Sequence, residues 1–429
     1  MGASAAIVVT GTEVLTARVT DRNGPWLSER LAEHGFDVTG IVVVGDRPEE
    51  IHEALGWLAS RGTDLICTSG GLGPTEDDLT AEVVARFQER AMSLDSALED
   101  RIWRVLEPMM KRWPHLDESA VRHANRKQAM VPQGAAVLEP AGTAPGLVVP
   151  PPDARPDGPV VVVLPGPPRE LHAMWPAAVA TEQFAAARAG AVEHRRSMLR
   201  LFGLPESEIA ATMRSARESG IPIDDLEITT CMRRGEIEIV TRSAPGGDAA
   251  HDGWIGFVRD AHSDTLFSDD FSTVDEQVAG LLDDKSWKIA TAESCTGGQL
   301  AARLTERPGS GDRMRGGLVV YENDVKTTVA RIDAALIEQH GAVSKEVAEA
   351  LADAAREVVG AEVGVGITGI AGPTGGAKEK PVGTVWFSVA GPDGRRITRH
   401  VRLPGDRVEV RDRSTTVAMH LVRRLLLDG

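Results

Sequence analysis

The 429-residue chain has 42% hydrophobic and 26% charged residues and a formal net charge of −16, the balance of a soluble globular protein with room for two or three domains. So acidic a chain is a poor match for a nucleic-acid backbone, which calls for a basic stripe, and three scattered cysteines, Cys67, Cys231 and Cys295, offer neither a disulfide framework nor a C-x-x-C pair. No apolar run approaches the ~18 residues of a membrane span and the opening M-G-A-S-A-A has no basic leader, so the expectation is a cytoplasmic protein with no membrane partner.

In chain order, residues 6–10 read as a strand. Pro25 and Gly35 delimit a helix carrying Trp26, Leu27 and Leu31, and residues 38–44 and 64–68 give two further strands. Strands alternating with helices at this spacing imply βαβ units and a mostly parallel sheet, with the ligand site beyond the carboxyl ends of the strands. After the third strand comes Ser69-Gly70-Gly71-Leu72-Gly73-Pro74-Thr75-Glu76-Asp77-Asp78, a glycine loop before an acidic helix start. On one reading, Gly70, Gly71 and Gly73 cradle a phosphate while Asp77 and Asp78 hold a divalent cation or a ligand hydroxyl. On the other, Thr75 caps a helix carrying Leu79, Val83 and Val84, and the acids complement its dipole. Spacing alone leaves both open. The Pro-rich run 149–159 is a surface loop before a strand at 160–163.

From about residue 176 the pattern becomes a smaller α+β unit. Residues 198–202 read as a strand, Pro205 opens a helix through Met213, and residues 226–230 and 236–240 alternate as hairpin strands about Arg233-Arg234-Gly235. Those arginines read as a charged turn on an exposed hairpin rather than a nucleic-acid contact, and residues 244–253 as an exposed loop. A last α/β region begins near residues 268–273. In it Ser344 caps a helix with Val347, Leu351, Ala354 and Val358 on one face, residues 363–368 form a strand, and Val410, Val417, Leu421 and Leu425 line a terminal helix. The glycine-rich run 364–376, which includes Gly372, is weak evidence for a phosphate loop.

Chemistry concentrates in Glu293-Ser294-Cys295-Thr296-Gly297-Gly298. Residues 288–292 form a short apolar strand ahead of it, and Leu300, Ala301 and Leu304 follow at helical spacing, so the glycines sit where a helix begins. Amides there can meet an anion or a developing oxyanion. Ser294 needs a base, no His or Asp stands in a triad arrangement, and Lys326 is the nearest group able to serve. Tyr321, the chain's one tyrosine, lies five residues before Lys326. A tight α/β connection using glycine for positive φ accounts for the same turn without chemistry.

These motifs carry a family resemblance. A-E-S-C-T-G-G, Y-E-N-D-V-K, H-G-A-V-S, G-I-A-G-P-T-G-G, K-P-V-G-T-V and G-D-R-V-E-V-R together resemble the C-terminal domain of the CinA family, the nicotinamide mononucleotide amidohydrolases. Gly11-Thr12-Glu13, residues 69–80, Asn125-Arg126-Lys127-Gln128, residues 142–146 and residues 164–170 resemble the family's N-terminal domain, which is similar to molybdopterin-binding domains.

The resemblance implies an α/β fold class: two α/β sandwich domains with mostly parallel sheets, at 1–175 and 269–429, joined at 176–268 by a small α+β, KH-like domain that contributes to a homodimer. It implies hydrolysis of nicotinamide mononucleotide to nicotinate mononucleotide and ammonia, with Ser294 as nucleophile, Lys326 as general base and Tyr321 relaying or orienting the proton. Thr296, Gly297 and Gly298 would hold the oxyanion; Asn323, Gly372, Arg407 and Arg411 would bind substrate, the arginines at its phosphate. The amidase needs no cofactor. For the N-terminal domain it implies ADP-ribose pyrophosphatase activity with a divalent metal and potassium, Gly70, Gly71 and Gly73 binding substrate and Asp77 and Asp78 the metal; Glu76 stands where relatives commonly have a histidine. Nicotinamide mononucleotide and ADP-ribose are thus the expected partners, and nucleic acid is not. The alternative is a nucleotide- or molybdopterin-like-ligand binding or regulatory protein with an inactive N-terminal domain.

Overall fold

The computed structural model describes residues 2–112 and 117–428. The chain divides into two compact units, 1–194 and 195–429.

The first unit is built on a six-stranded sheet. Its strands are β1 (Ser4–Thr10), β2 (Asp37–Val44), β3 (Leu65–Ser69), β4 (Ala136–Leu138), β5 (Gly146–Val149) and β6 (Val160–Leu164), in the order β2-β1-β3-β6-β5-β4. The first four in that order run parallel and the last two antiparallel. Crossover helices α1 (Asn23–Glu33), α2 (Pro48–Ser60) and α3 (Thr80–Phe87) cover the parallel part, with α4 (Pro168–Val179) and α5 (Glu182–Ala187) closing the unit. Strands buried on both faces need unbroken apolar runs. Val160 to Val163 supply one, and separate apolar clusters pack on the two faces.

Residues 176–194, expected in the connecting domain, fold with this first unit. Phe184 of α5 is buried edge-on against Trp175 and Phe36 at 5.7 and 5.6 Å, and the Ala3 amide donates to Gly190. An aromatic cluster of this kind holds the segment where its composition alone does not.

In the second unit, β7 (Arg195–Phe202), α6 (Glu206–Glu218), β8 (Glu227–Arg233), β9 (Glu236–Ser243), α7 (Asp248–Ala261) and β10 (Leu266–Ser268) form an antiparallel sheet, order β8-β9-β7-β10, with helices over a core of its own. The stretch expected to be a loop at 244–253 runs instead into α7. Ala250, Trp254, Ile255 and Val258 share one buried face at helical spacing, and the Trp254 indole donates to Thr241.

There follow α8 (Val274–Lys285), β11 (Ile289–Glu293), α9 (Gln299–Thr305), β12 (Met314–Val319), α10 (Asn323–Thr328), α11 (Lys345–Val359), β13 (Val363–Gly369), β14 (Thr384–Ala390), β15 (Arg396–Arg402) and α12 (Arg407–Leu427). The five-stranded sheet has the order β12-β11-β13-β14-β15, parallel across the first three strands and antiparallel beyond. Ser344 caps α11 by accepting from the Val347 amide. Gly364 and Gly366 are packing glycines rather than a phosphate loop. A β-carbon on Gly366 would lie 2.2 Å from the Ala348 carbonyl, so α11 reaches the sheet only across bare backbone.

Candidate functional site

In both parallel sheets the chain leaves a central strand towards one side and later returns on the other, which opens a crevice at the strands' carboxyl ends. In the second unit that point lies between β11 and β13. β11 is buried throughout and ends at Glu293; the next amide, of Ser294, donates to Ile367 of β13 at 2.9 Å. Ser294 is thereby held at the mouth of the crevice. The chain then turns through Gly297 and Gly298, both at positive φ, into α9.

The crevice is a cleft of about 280 Å³. Its walls include Ser294, Tyr321, Asn323, Lys326, Gly372 and Arg407, six residues expected from the sequence. It has no acidic residue in its lining; its charges are Lys326 and Arg407. A small anion fits such a site without a metal to neutralise it.

Lys326, on α10, is 1% exposed and its ammonium donates to the main-chain carbonyl of Tyr321 at 2.7 Å. Burial holds its pKa below the ordinary lysine value, with Glu322 and Cys295 acting weakly the other way. Cys295 shares the cleft, but burial pushes its thiol up to about 12 and Glu293 adds to the effect. Such a thiol stays protonated at neutral pH.

Three expectations change in detail. The Tyr321 hydroxyl is not directed to Lys326: it accepts from Arg407 at 3.1 Å, and the residue is 52% exposed. The amides of Gly297 and Gly298 are already used, by the Ser294 carbonyl (3.1 Å) and the Glu293 carboxylate (3.0 Å), and so are not free for an oxyanion. Thr296, Gly297, Gly298 and Arg411 all lie outside the cleft lining. Arg411 donates to the Thr296 carbonyl at 2.8 Å, bracing the turn from behind, so Arg407, which also donates to Gly372 at 2.7 Å, is the arginine that lines the cleft.

The first unit has its own crevice between β1 and β3, a cleft of about 730 Å³ into which Gly70, Gly71, Gly73, Asp77 and Asp78 all project. The glycines are required there: a β-carbon on Gly71, at φ +65°, would sit 2.1 Å from the Thr80 hydroxyl. Six lining residues are acidic (Glu13, Asp21, Asp46, Asp77, Asp78 and Glu170) and one, Arg22, is basic. Thr75 does not cap α3, which begins at Thr80. Its hydroxyl instead donates to Asp77 and Asp78, holding the Asp77 carboxyl below its usual range, and its amide donates to Asp78 at 2.9 Å. Buried Asn23, at the start of α1, ties the crevice together by donating to the Ser69 hydroxyl and the Gly166 carbonyl, each at 2.7 Å. Asn23, Asp21 and Asp46 were not singled out from the sequence, and Glu13 and Glu170 stood there only within the motifs that carry the resemblance. Asp21 and Asp46 follow or precede predicted elements near strand ends, which is the one signal pointing to them.

Comparison with known proteins gives a family match in each half of the chain. The description "CinA C-terminal domain" matches residues 271–426 and "Probable molybdopterin binding domain" matches residues 6–183. A CinA-like protein of Mycobacterium sp. (strain JLS) is 56% identical over 429 residues, covering 100% of both chains. The chain belongs to the CinA-like family. A CinA-like protein of Mycobacterium tuberculosis (strain ATCC 25177 / H37Ra) is 53% identical over 99% of this chain and 98% of that one. Among solved CinA superfamily structures, one from Klebsiella pneumoniae 700603 is 31% identical and covers 36% of this chain and 97% of that chain, with a TM-score of 0.35. The CinA protein of Thermoplasma acidophilum is 31% identical over 41% of this chain and 95% of its own, with a TM-score of 0.34. None of the described helices is long and apolar enough to cross a membrane.

Proposed function

We propose that the cleft at Ser294 hydrolyses the carboxamide of nicotinamide mononucleotide. The observation that carries this reading is a buried lysine of lowered pKa sharing an acid-free cleft with Ser294, since a neutral amine is what a serine without a histidine needs as base. Ser294 Oγ attacks the carboxamide carbon while its proton passes to Lys326 Nζ. The tetrahedral intermediate collapses as Lys326 returns that proton to the departing nitrogen, releasing ammonia. Water then adds to the acyl-enzyme, again giving its proton to Lys326, and the ester to Ser294 breaks to leave the nicotinate carboxylate. With Gly297 and Gly298 committed to the fold, the amide of Cys295, which lines the cleft, is the donor left for the oxyanion, worth about 3 kcal/mol in hydrolases of this kind. Arg407 takes the phosphate.

We propose for the first unit a metal-dependent cleavage of ADP-ribose at its pyrophosphate. The acidity of its crevice favours this: a pyrophosphate cannot share six carboxylates without cations. Among the described residues no group of three or more His, Cys, Asp or Glu side chains converges as a metal cage. Asp77 and Asp78 beside glycine amides instead fit a hard divalent ion held by one or two carboxylates and the substrate's own phosphates. Such an ion would neutralise the pyrophosphate; Gly70, Gly71 and Gly73 would orient it.

Two assays test the pair of readings on the full chain: ammonia release from nicotinamide mononucleotide without added metal, and AMP release from ADP-ribose with magnesium and potassium. Absence of ammonia removes the first reading. AMP release that persists in Asp77→Asn and Asp78→Asn variants, or none in wild type, removes the second.

A further inference from the structure

One part of the wall around the Ser294 cleft is a loop. Between β13 and β14 the chain brings Gly372, Thr374 and Gly375 to the lining, and Pro373 to Glu379 are all exposed. A second part of the lining, Ala342 and Val343, comes from the segment just ahead of α11. Lys380 joins the two. It is half-buried and outside the lining, and its ammonium donates to the main-chain carbonyls of Val343 at 2.8 Å and His340 at 3.2 Å. It reaches both across the bare backbone of Gly341, where a β-carbon would stand 3.4 Å from Nζ. The two carbonyls in between are held by side chains as well, Gly341 by the Ser344 hydroxyl at 2.8 Å and Ala342 by the buried Thr368 hydroxyl at 2.7 Å. Ser344 caps α11 and Thr368 belongs to β13, so the segment is anchored to the sheet layer and Lys380 ties the loop to that anchor.

The tie bears on the cleft through the loop's own packing. At its tip the Ala377 amide donates to the Lys380 carbonyl at 2.9 Å, and its two arms meet at Val382: a β-carbon on Gly372 would stand 2.6 Å from the Val382 side chain, and one on Gly376 2.8 Å from the Val382 nitrogen. Gly372 in turn accepts from Arg407 at 2.7 Å. Contacts therefore run from Lys380 through Val382 and Gly372 to the arginine of the cleft. Ser294 and Lys326 are held separately, by the carbonyls of Ile367 and Tyr321.

We propose that Lys380 is a positioning residue for ligand binding: by bridging the loop to the segment ahead of α11 it fixes the loop wall of the cleft and, through Gly372, sets Arg407 for an anionic group, while touching neither ligand nor reacting atoms. This rests on the amidase reading for the identity of the ligand. A charged donor on two carbonyls is a strong enough clasp to hold an otherwise exposed loop, and its loss loosens binding while leaving the nucleophile and its base in place.

The test compares full-length wild type, Lys380→Met, Arg407→Ala and the double variant. Trypsin does not cut a bond followed by proline, so substitution at Lys380 removes no site and cleavage after exposed Lys378 reports how often the loop opens. In Lys380→Met that cleavage speeds up at least about fivefold, and KM for nicotinamide mononucleotide rises about tenfold with kcat within about threefold of wild type. Added to Arg407→Ala, the same substitution raises KM by less than about twofold, because it acts through that arginine. Cleavage at the wild-type rate, a fall in kcat at unchanged KM, or a KM effect that multiplies in full with that of Arg407→Ala each overturns the proposal. Should Lys380→Met not fold, Lys380→Gln, one bond shorter and unable to span both carbonyls, must show the same three results. Cleavage needs no substrate, so a wild-type protein that releases no ammonia removes the amidase reading, and the cleavage rates still decide whether Lys380 holds the loop.

Discussion

Lys326 donates to the carbonyl of Tyr321 at 2.7 Å, so the base we propose is aimed by the backbone of the chain's one tyrosine and not by its hydroxyl. A carbonyl acceptor holds the amine in place without supplying or taking a proton. The lysine must then work through its own titration. Its pKa in the fold lies below the ordinary 10.5, and the neutral form is the base, so kcat rises with pH through that lowered value and levels off above it. Lys326→Arg keeps a positive charge that does not titrate, and is expected to lose about 10²–10⁴-fold in kcat at every pH with KM little changed. Measurement of kcat and KM across pH 6 to 9 for both proteins decides the matter. Near-normal turnover by the arginine variant ends the Ser-Lys mechanism.

Tyr321 and Arg407 form one unit at the mouth of the cleft, with Arg407 braced by Gly372 on its other nitrogen. Tyr321→Phe removes the acceptor but neither the ring nor the base, so kcat should stay within about threefold while KM rises modestly. Arg407→Ala removes the charge we propose for the phosphate and should raise KM about tenfold or more, with a smaller effect on nicotinamide, which has no phosphate. A Tyr321→Phe variant with kcat down a hundredfold would restore the hydroxyl as a proton relay.

Ser294→Ala should abolish ammonia release, whereas Cys295→Ala should retain most of it, because a thiol held at about 12 is protonated at neutral pH. Trapping of the acyl-enzyme, read as a mass increase on the peptide carrying residues 293–298, gives the same answer independently. An adduct on Cys295 in the wild-type protein would reverse the assignment.

Much of this was legible in the sequence because the sheets bury both faces of short apolar strands and the glycines mark where the chain turns at their ends. Ser294, Lys326, Asn323, Gly372 and Arg407 converge as the motif order implied. The failures share a cause. Glu293 is six residues ahead of the first residue of α9, outside any usual capping spacing, and only the fold brings its carboxylate to Gly298, Leu300 and Ala301. Asn23 reaches Ser69 and Gly166 across 46 and 143 residues of chain, which no local pattern records. Arg411 and Arg407 lie one turn apart on α12, so spacing could not say which faces the ligand; the contact of Arg411 with Thr296 does.

The same helix carries a second dependence. Thirteen residues beyond Arg407, His420 meets Glu236 of β9 at 2.6 Å and stacks on Phe202 of β7 at 3.8 Å, with both partners of the pair buried. Burial holds the His420 pKa below its ordinary 6.5, assisted by Arg423 and Arg303 and opposed by Glu236. The unfolded chain therefore binds a proton that the folded unit refuses, so stability rises with pH through the window below 6.5 and is flat above it. His251 and His262 shift the same way, so the contribution of His420 is read as a difference between variants. Removing one partner leaves the other's buried polar atoms unsatisfied, and His420→Ala or Glu236→Ala should each cost about 1–3 kcal/mol. The double variant should cost clearly less than the sum, since neither group is then left alone. Denaturant melts of the four proteins at pH 7.5 measure this, and two single losses that simply add would show that the pair is not coupled.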